Sequence, residues 1–228
     1  MPLHPIRRFR DLHRGGRAVL VCNGPSLNAM DLAPLAGEIV IGLNKIHLGM
    51  HRFGFYPRYV VAVNAKVVEQ ARDALLAMSA VKFIGARAAH LIPAGPFVHH
   101  IPVLDPPVTF STDLAIGFRE GGTVTHAALQ VAYYMGFAEV VIIGMDHRFV
   151  YDGDPHAARL IAGDDPNHFD PGYFRGQVWD NPDLARSEAS YAAARAAFEA
   201  DGRRILDATL DGACTVFQKA DYRALFGL

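Results

Sequence analysis

Several features that define large protein classes are missing from this sequence or scarce in it. The two cysteines, Cys22 and Cys214, are too few for the disulfide framework of a small secreted domain. No apolar run approaches the roughly 18 residues of a membrane-spanning helix, and the first residues, MPLHPIRRFRDLHRGG, lack the apolar centre of a secretory signal. A net charge of −1 argues against binding to nucleic acid. We therefore expect a cytoplasmic protein without a nucleic-acid partner.

The composition that is present predicts one domain with a sizeable core. The chain has 228 residues, of which 51% are hydrophobic, and this excludes a disordered tail. We expect a basic N-terminal arm over residues 1–16 and a single domain over residues 17–228. Five arginines and one aspartate within the first 17 residues favour a solvated arm or, alternatively, an anchor for an anionic membrane surface.

Short apolar runs rich in β-branched residues predict the sheet. Strands that are apolar throughout their length belong to a sheet covered on both faces, which favours parallel strands. The predicted strands are 17–23, 38–44, 59–64, 81–85, 97–104, 138–145 and 203–209. The predicted helices are about 66–78, 123–135, 184–200 and 221–226. The pattern indicates an α/β fold with a doubly wound, mostly parallel, Rossmann-like sheet.

Residues 147–181 differ from the rest of the chain. They are rich in Asp, Pro, Gly, His and aromatic residues and have little periodicity. A long segment of this kind inside a compact domain is usually functional. We predict an irregular lid, with a solvated acidic loop formed by Asp152, Asp154, Asp164 and Asp165.

Polar residues end four of the predicted strands. They are Asn23, Asn44, Asn64 and Asp146. Ligands bind at the carboxyl ends of parallel strands, where an amide can donate to phosphate oxygens and accept from a ribose or base. The alternative is that each asparagine caps a turn. Asp146 has the chemistry to bind ribose hydroxyls or Mg²⁺.

Two glycine-containing turns are candidate anion sites. Gly24 and Ser26 in NGPSL offer a backbone amide and a hydroxyl, and Gly122 and Thr123 precede a predicted helix N-terminus. Neither turn matches the P-loop or the dinucleotide fingerprint. For the second turn, an ordinary threonine cap is the alternative.

His168 is the candidate acid or base. A histidine exchanges protons near neutral pH, and this one lies in the irregular segment, within PNHFDPGYF. Motifs of zinc proteases and serine hydrolases do not occur in the sequence.

Five segments in order resemble one superfamily. They are NGPSL, GLN, VAVN, GGTVTHAALQVAYYMGFAEVVIIGMDH and DPNHF. Together they resemble the bacterial sialyltransferases of glycosyltransferase family 42 and, more closely, the MptE-like family, which also supplies the central domain of Maf flagellin glycosyltransferases. The resemblance covers most of residues 17–227. It is specific for the superfamily and not for one reaction.

The resemblance to sialyltransferases implies roles for the polar residues. It implies Asn23 near the donor phosphate, Asn44 near the nucleotide, Asn64 beside the donor and Asp146 by the ribose. His168 falls where those enzymes place the base that deprotonates the acceptor hydroxyl. Transfer of this kind needs no metal when amide and hydroxyl groups stabilise the departing phosphate.

The sequence departs from the sialyltransferase pattern after Asp146. Those enzymes carry tyrosines there that hold the leaving phosphate, whereas this chain has His147 and Arg148, with Tyr151 slightly later. Arg148 replaces a tyrosine by charge, or Tyr151 reaches the site. Either Thr123 or Thr125 can be aligned with the threonine of the sialyltransferase pattern. Sialic acid itself is therefore not implied as the sugar.

Three functions follow as hypotheses. The first is a sialyltransferase-like glycosyltransferase that moves an acidic sugar from a CMP-activated donor to a hydroxyl of a glycan, lipid or protein acceptor and requires no cofactor. The second is a 6-hydroxymethylpterin diphosphokinase that uses ATP and Mg²⁺, with Asp146, Asp152 and Asp154 as ligand candidates. The third is a non-catalytic nucleotide-sugar binding protein. The sequence allows a homo-oligomer and peripheral contact with the inner face of a membrane through the basic arm.

Overall fold

A computed structural model describes residues 5–107 and 109–228. Residues 1–4 of the predicted arm lie outside the described residues. The strands are β1 (Arg17–Val21), β2 (Val40–Leu43), β3 (Tyr59–Ala62), β4 (Val81–Gly85), β5 (Val98–Ile101), β6 (Glu139–Ile143), β7 (Ala158–Ile161), β8 (Gln177–Asp180), β9 (Arg204–Asp207) and β10 (Gln218–Lys219). The helices are α1 (Met50–Phe53), α2 (Ala65–Gln70), α3 (Arg72–Ala77), α4 (Val124–Tyr134), α5 (Leu184–Ala200) and α6 (Tyr222–Phe226).

Eight of the strands form one parallel sheet with the order β10-β9-β6-β1-β2-β3-β4-β5. The chain builds outward from β1 to β5 and then returns to place β6 on the other side of β1. This reversal is the switch point at which open α/β sheets bind ligands. The crevice therefore lies beyond the carboxyl ends of β1 and β6.

Apolar layers cover both faces of the sheet. One layer packs α4 and α5 against it, and the other packs α2, α3 and α6 together with part of segment 147–181. Alternate residues of each strand enter opposite layers, as Leu20 and Val21 do. The predicted doubly wound α/β fold is confirmed.

Most predicted elements match the observed ones to within a few residues. The strand predicted over 81–85 and the helix predicted over 184–200 have the observed bounds. The single helix predicted over 66–78 is instead two, because Ala71 leaves helical geometry at φ −106° and ψ 10°. Gly136, which follows the C-cap residue of α4, has φ 86°, the left-handed conformation that glycine commonly supplies after a helix.

The prediction that residues 147–181 are irregular is wrong for two stretches. Strands β7 and β8 form an antiparallel hairpin in which Leu160 pairs with Val178. Each strand has four residues, too few for a clear period-two pattern. The segment is also docked onto the domain, since the Asp180 carboxylate lies 2.8 Å from the Lys66 ammonium at the start of α2.

The interpretation of residues 1–16 as a solvated arm is wrong for residues 5–16. Ile6 and Phe9 are buried in the core, and the backbone amides of residues 11, 13 and 15 donate to carbonyls at the end of α4. Apolar side chains between the arginines hold this segment to the sheet. It lies at the amino ends of the strands, opposite the crevice.

No helix among the residues that the structure describes is long and apolar enough to cross a membrane.

One buried histidine makes the fold sensitive to acid. His126 on α4 has no exposed surface, and its Nε2 lies 2.9 Å from the Thr109 carbonyl oxygen. Burial lowers the pKa of His126 to about 4, because the imidazolium is poorly solvated there.

We expect stability to fall as the pH drops from about 6.5 towards 4, because the unfolded chain then binds a proton that the fold resists. A tenfold difference in proton affinity corresponds to about 1.4 kcal/mol, so this group lowers the free energy of unfolding by about 3 kcal/mol at pH 4. His126→Gln keeps a donor for Thr109 and removes the titration. Urea unfolding of both proteins between pH 4 and 7 tests this, and parallel pH dependences would contradict it.

Candidate functional site

The crevice is a cavity of ≈ 630 Å³ between the carboxyl ends of the central strands and segment 147–181. The N-terminal ends of α2, α4 and α5 also border it. The predicted site residues that line the cavity are Asn23, Gly24, Asn44, Asn64, Gly122, Thr123, Asp146, Arg148 and His168. Ser26 and Tyr151 lie outside its lining. The fold thus gathers nearly all of the predicted residues in one place.

Asn23, at the end of β1, is hydrogen-bonded to the end of β2 and to segment 147–181, and its side-chain oxygen is not used in either contact. Its Nδ2 donates to the Leu43 carbonyl oxygen at 3.2 Å, and its own carbonyl accepts from the Phe169 amide at 2.9 Å. Its Oδ1 is buried without a partner among the residues that the structure describes. Because an unsatisfied buried acceptor is costly, Asn23 Oδ1 is suited to accept from a ligand.

Asn44 ends β2 in the left-handed region, at φ 47°. Its side chain reaches the hydroxyl of Tyr173 in segment 147–181. Asparagine tolerates this backbone conformation better than most residues. Asn44 therefore connects the sheet to the segment above the cavity.

Asn64 and Thr123 serve as helix caps. Asn64 Oδ1 accepts from the backbone amides of Lys66 at 2.9 Å and Val67 at 3.4 Å. Thr123 Oγ1 accepts from the Thr125 amide at 3.3 Å. The alternative of an ordinary cap therefore holds for both residues, although both also line the cavity.

Asp146 fastens the NGPSL turn to the end of β6. Its Oδ1 accepts from the Ser26 amide at 3.0 Å and its Oδ2 from the Ser26 hydroxyl at 2.7 Å. A side chain at Gly24 would overlap the Asp146 carboxylate. Ser26 is therefore committed to Asp146 instead of lining the cavity.

Four Lys or Arg side chains and four carboxylates line the cavity, and two of the cations are unpaired within the described residues. Lys66 and Arg87 are each paired with a carboxylate. The side chains of Arg148 and Arg186 form no hydrogen bond or ion pair with any residue that the structure describes. The N-terminus of α4, with Gly122 at φ 81° before it, adds a positive dipole end. Sequence reasoning missed Arg186, because nothing in its helical context distinguishes it from a surface arginine.

Tyr151 lies beside the cavity lining. Its hydroxyl is 3.4 Å from the Pro182 carbonyl oxygen, and its ring meets Trp179 edge-on at 6.4 Å. Of the two residues predicted to replace the missing tyrosine, only Arg148 lines the cavity.

His168 lines the cavity with one ring nitrogen unpaired. Its Nδ1 lies 2.8 Å from Asp165 Oδ2, and its ring stacks on Tyr173 at 4.0 Å with an interplanar angle of 9°. Nε2 has no hydrogen bond within the described part of the chain. A neutral imidazole in this position has an acceptor to offer to a ligand.

Lys45 is a buried residue near the site that sequence reasoning missed. Its ammonium donates to the Tyr173 carbonyl oxygen at 2.7 Å and to Gln177 Oε1 at 2.6 Å. It also lies 4.2 Å from the ring centre of Phe174. Burial lowers the pKa of Lys45 to about 8. Lys45 thus ties the end of β2 to segment 147–181.

The three candidate Mg²⁺ ligands, Asp146, Asp152 and Asp154, do not lie together at one position. Asp152 and Asp154 are exposed outside the cavity lining, and both oxygens of Asp146 accept from Ser26. Within residues 5–107 and 109–228, no cluster of three or more His, Cys, Asp or Glu side chains has the arrangement of a metal site.

Two solved structures share this fold. One is a Maf glycosyltransferase from Magnetospirillum magneticum AMB-1, with a TM-score of 0.58 and 13% identity over 93% of this chain and 35% of that protein. The other is the sialyltransferase CstII from Campylobacter jejuni in complex with cytidine-5'-monophosphate, a substrate analogue, with a TM-score of 0.54 and 12% identity over 90% of this chain and 85% of that protein. The chain spans about a third of the Maf glycosyltransferase.

No curated protein matches the sequence. A family described as 6-hydroxymethylpterin diphosphokinase MptE-like matches residues 2–152, about two thirds of the chain. This stretch contains the sheet from β1 to β6, the NGPSL turn, the start of α4 and Asp146. The resemblance derived from the sequence motifs is confirmed, and the chain belongs to the MptE-like family.

Proposed function

We propose that the protein is a glycosyltransferase that moves an acidic sugar from a CMP-activated donor to an acceptor hydroxyl, with His168 as the general base. The observation that carries this proposal is that one cavity holds both a candidate base and cations that can bind a phosphate. Among the residues that the structure describes, His168 offers an unpaired nitrogen, and Arg148 and Arg186 offer unpaired positive charge. The likeness in fold to a Maf glycosyltransferase and to a sialyltransferase supports the same reaction class.

The chemical step uses these groups in turn. Nε2 of His168 accepts the proton of the acceptor hydroxyl as its oxygen attacks the anomeric carbon. The bond from that carbon to the phosphate oxygen breaks, and CMP leaves with the electron pair. Arg148, Arg186 and the N-terminus of α4 stabilise the charge on the departing phosphate.

An acidic sugar fits the two unpaired guanidinium groups of the cavity. The donor carries a phosphate and a carboxylate, and Arg148 and Arg186 have no carboxylate partner among the residues that the structure describes. Each anion can accept a charge-assisted hydrogen bond from an arginine. Asn23 Oδ1, a buried acceptor without a partner in the described part of the chain, is suited to a ribose hydroxyl or a base amino group.

A diphosphokinase is the second candidate, and the description of the matched family favours it. That reaction would require Mg²⁺, and Asp146, Asp152 and Asp154 do not converge on a metal position. No step through Mg²⁺ is therefore assigned to this chain. A non-catalytic nucleotide-sugar binding protein is the third candidate.

Calorimetric titration with CMP and with ATP, each with and without Mg²⁺, distinguishes the candidates. We expect CMP to bind without metal, because the cations that meet its phosphate belong to the protein. Mg²⁺-dependent binding of ATP with no response to CMP would instead support the diphosphokinase. Silence with both nucleotides would contradict the proposed donor.

His168→Ala should lower the rate of sugar transfer by roughly two to four orders of magnitude, because the acceptor hydroxyl loses its base. CMP affinity should be little changed. His51→Ala, which removes an exposed histidine from α1, is the matched control. Transfer of sugar at the wild-type rate by His168→Ala would remove His168 from the mechanism.

Arg186→Ala should weaken CMP binding by roughly 10- to 100-fold, because a charge-assisted hydrogen bond contributes about 1.5–3 kcal/mol. The control is Arg7→Ala, an exposed arginine at the opposite end of the sheet. Equal affinity of the two variants in calorimetry would show that Arg186 does not meet the nucleotide.

A further inference from the structure

Asp165 differs from the acidic loop that the sequence predicted around it. Its side chain is only 2% exposed, whereas the neighbouring Asp164 is 73% exposed and pairs with Arg175. The backbone amide of Asp165 donates to the Pro171 carbonyl oxygen at 2.8 Å. A carboxylate is rarely buried without a partner, so its contacts indicate what it does.

The two oxygens of Asp165 have different partners. Oδ1 accepts from the Asn167 backbone amide at 2.9 Å, and Oδ2 lies 2.8 Å from Nδ1 of His168. A backbone N–H is only a donor, and an ionised carboxylate is only an acceptor. The hydrogen between Oδ2 and His168 therefore belongs to Nδ1.

We infer that Asp165 is the positioning residue of the base, an inference that rests on the proposed function of His168. By holding the proton on Nδ1, the carboxylate leaves Nε2 as the acceptor that faces the cavity. When Nε2 takes the acceptor's proton, the buried carboxylate stabilises the imidazolium. Asp165 itself touches no substrate.

A second contact fixes the plane of the imidazole. The Tyr173 ring lies nearly parallel to His168 at 4.0 Å, and the Lys45 ammonium donates to the Tyr173 carbonyl oxygen at 2.7 Å. The hydrogen bond from Nδ1 and the stacked ring together leave the imidazole little freedom to turn. A base held in this way is organised before the acceptor arrives.

Asp165→Asn tests the inference because it reverses one hydrogen bond. The Asn167 amide requires an oxygen, so the new side chain turns its NH2 group towards His168. Nδ1 must then accept, and the proton moves to Nε2, which can no longer act as the base. We expect kcat for transfer to fall by about 10²- to 10⁴-fold, with KM for the donor and CMP affinity little changed.

Asp164→Asn is the matched control, since it makes the same change at the exposed neighbour and should leave kcat unchanged. Nitrogen NMR of histidine-labelled protein reads the tautomer directly, with the His168 signal assigned by its loss in His168→Gln. We expect the proton on Nδ1 in the wild type and on Nε2 in Asp165→Asn. Because the wild-type spectrum reports the tautomer once His168 is assigned, the test does not depend on the folding of Asp165→Asn.

The outcomes separate this inference from the proposed function. If His168→Ala transfers sugar at the wild-type rate, the proposed base fails, whatever the tautomer. If His168→Ala is inactive but Asp165→Asn keeps its kcat, the positioning role is overturned. A wild-type spectrum with the proton on Nε2 overturns it as well.

Discussion

The contact between Asp146 and Ser26 is the constraint on which the site depends. β1 and β6 are neighbouring parallel strands near the centre of the sheet. Both Asp146 oxygens accept from Ser26, and hydrogen bonds to charged groups contribute about 1.5–3 kcal/mol each. Gly24 lies against the carboxylate, where a side chain would overlap it. The contact fixes the floor of the cavity between the two strand ends.

Segment 147–181 covers this floor because polar hydrogen bonds and ion pairs add to its apolar contacts. Phe169, Tyr173 and Phe174 are buried in the core layer on this side of the sheet. Asn23 accepts from the Phe169 amide, Lys66 pairs with Asp180, and Lys45 donates to two acceptors in the segment. A buried ammonium is costly unless it is hydrogen-bonded, which ties the position of Lys45 to that of the segment. These contacts hold the segment, and with it His168, over the carboxyl ends of the strands.

Hydrophobic runs in the sequence predicted most of the fold, because buried parallel strands must be apolar throughout. Because parallel strands end at the same edge of a sheet, the positions of these strands also predicted that Asn23, Asn44, Asn64 and Asp146 would lie together at their carboxyl ends. Pairing between distant polar residues was not predictable, since neither Ser26 nor Asp146 carries a local sign of the other. The β7–β8 hairpin was missed because each strand has only four residues, too few for a clear period-two pattern. The burial of Asp165 also depends on tertiary packing.

A fold shared at 12–13% identity does not decide the reaction. The distribution of charge in the cavity is the feature that distinguishes the candidate reactions. Its carboxylates are already bound: Glu120 to Arg87, Asp146 to Ser26, Asp180 to Lys66, and Asp183 to the Arg186 backbone amide and to His156. The guanidinium groups of Arg148 and Arg186 have no such partner within residues 5–107 and 109–228. A site with engaged anions and uncommitted cations is suited to bind an anion directly, whereas Mg²⁺ prefers carboxylate ligands. That asymmetry favours a donor whose phosphate meets the protein itself, and the unpaired nitrogen of His168 then gives the acceptor hydroxyl its base.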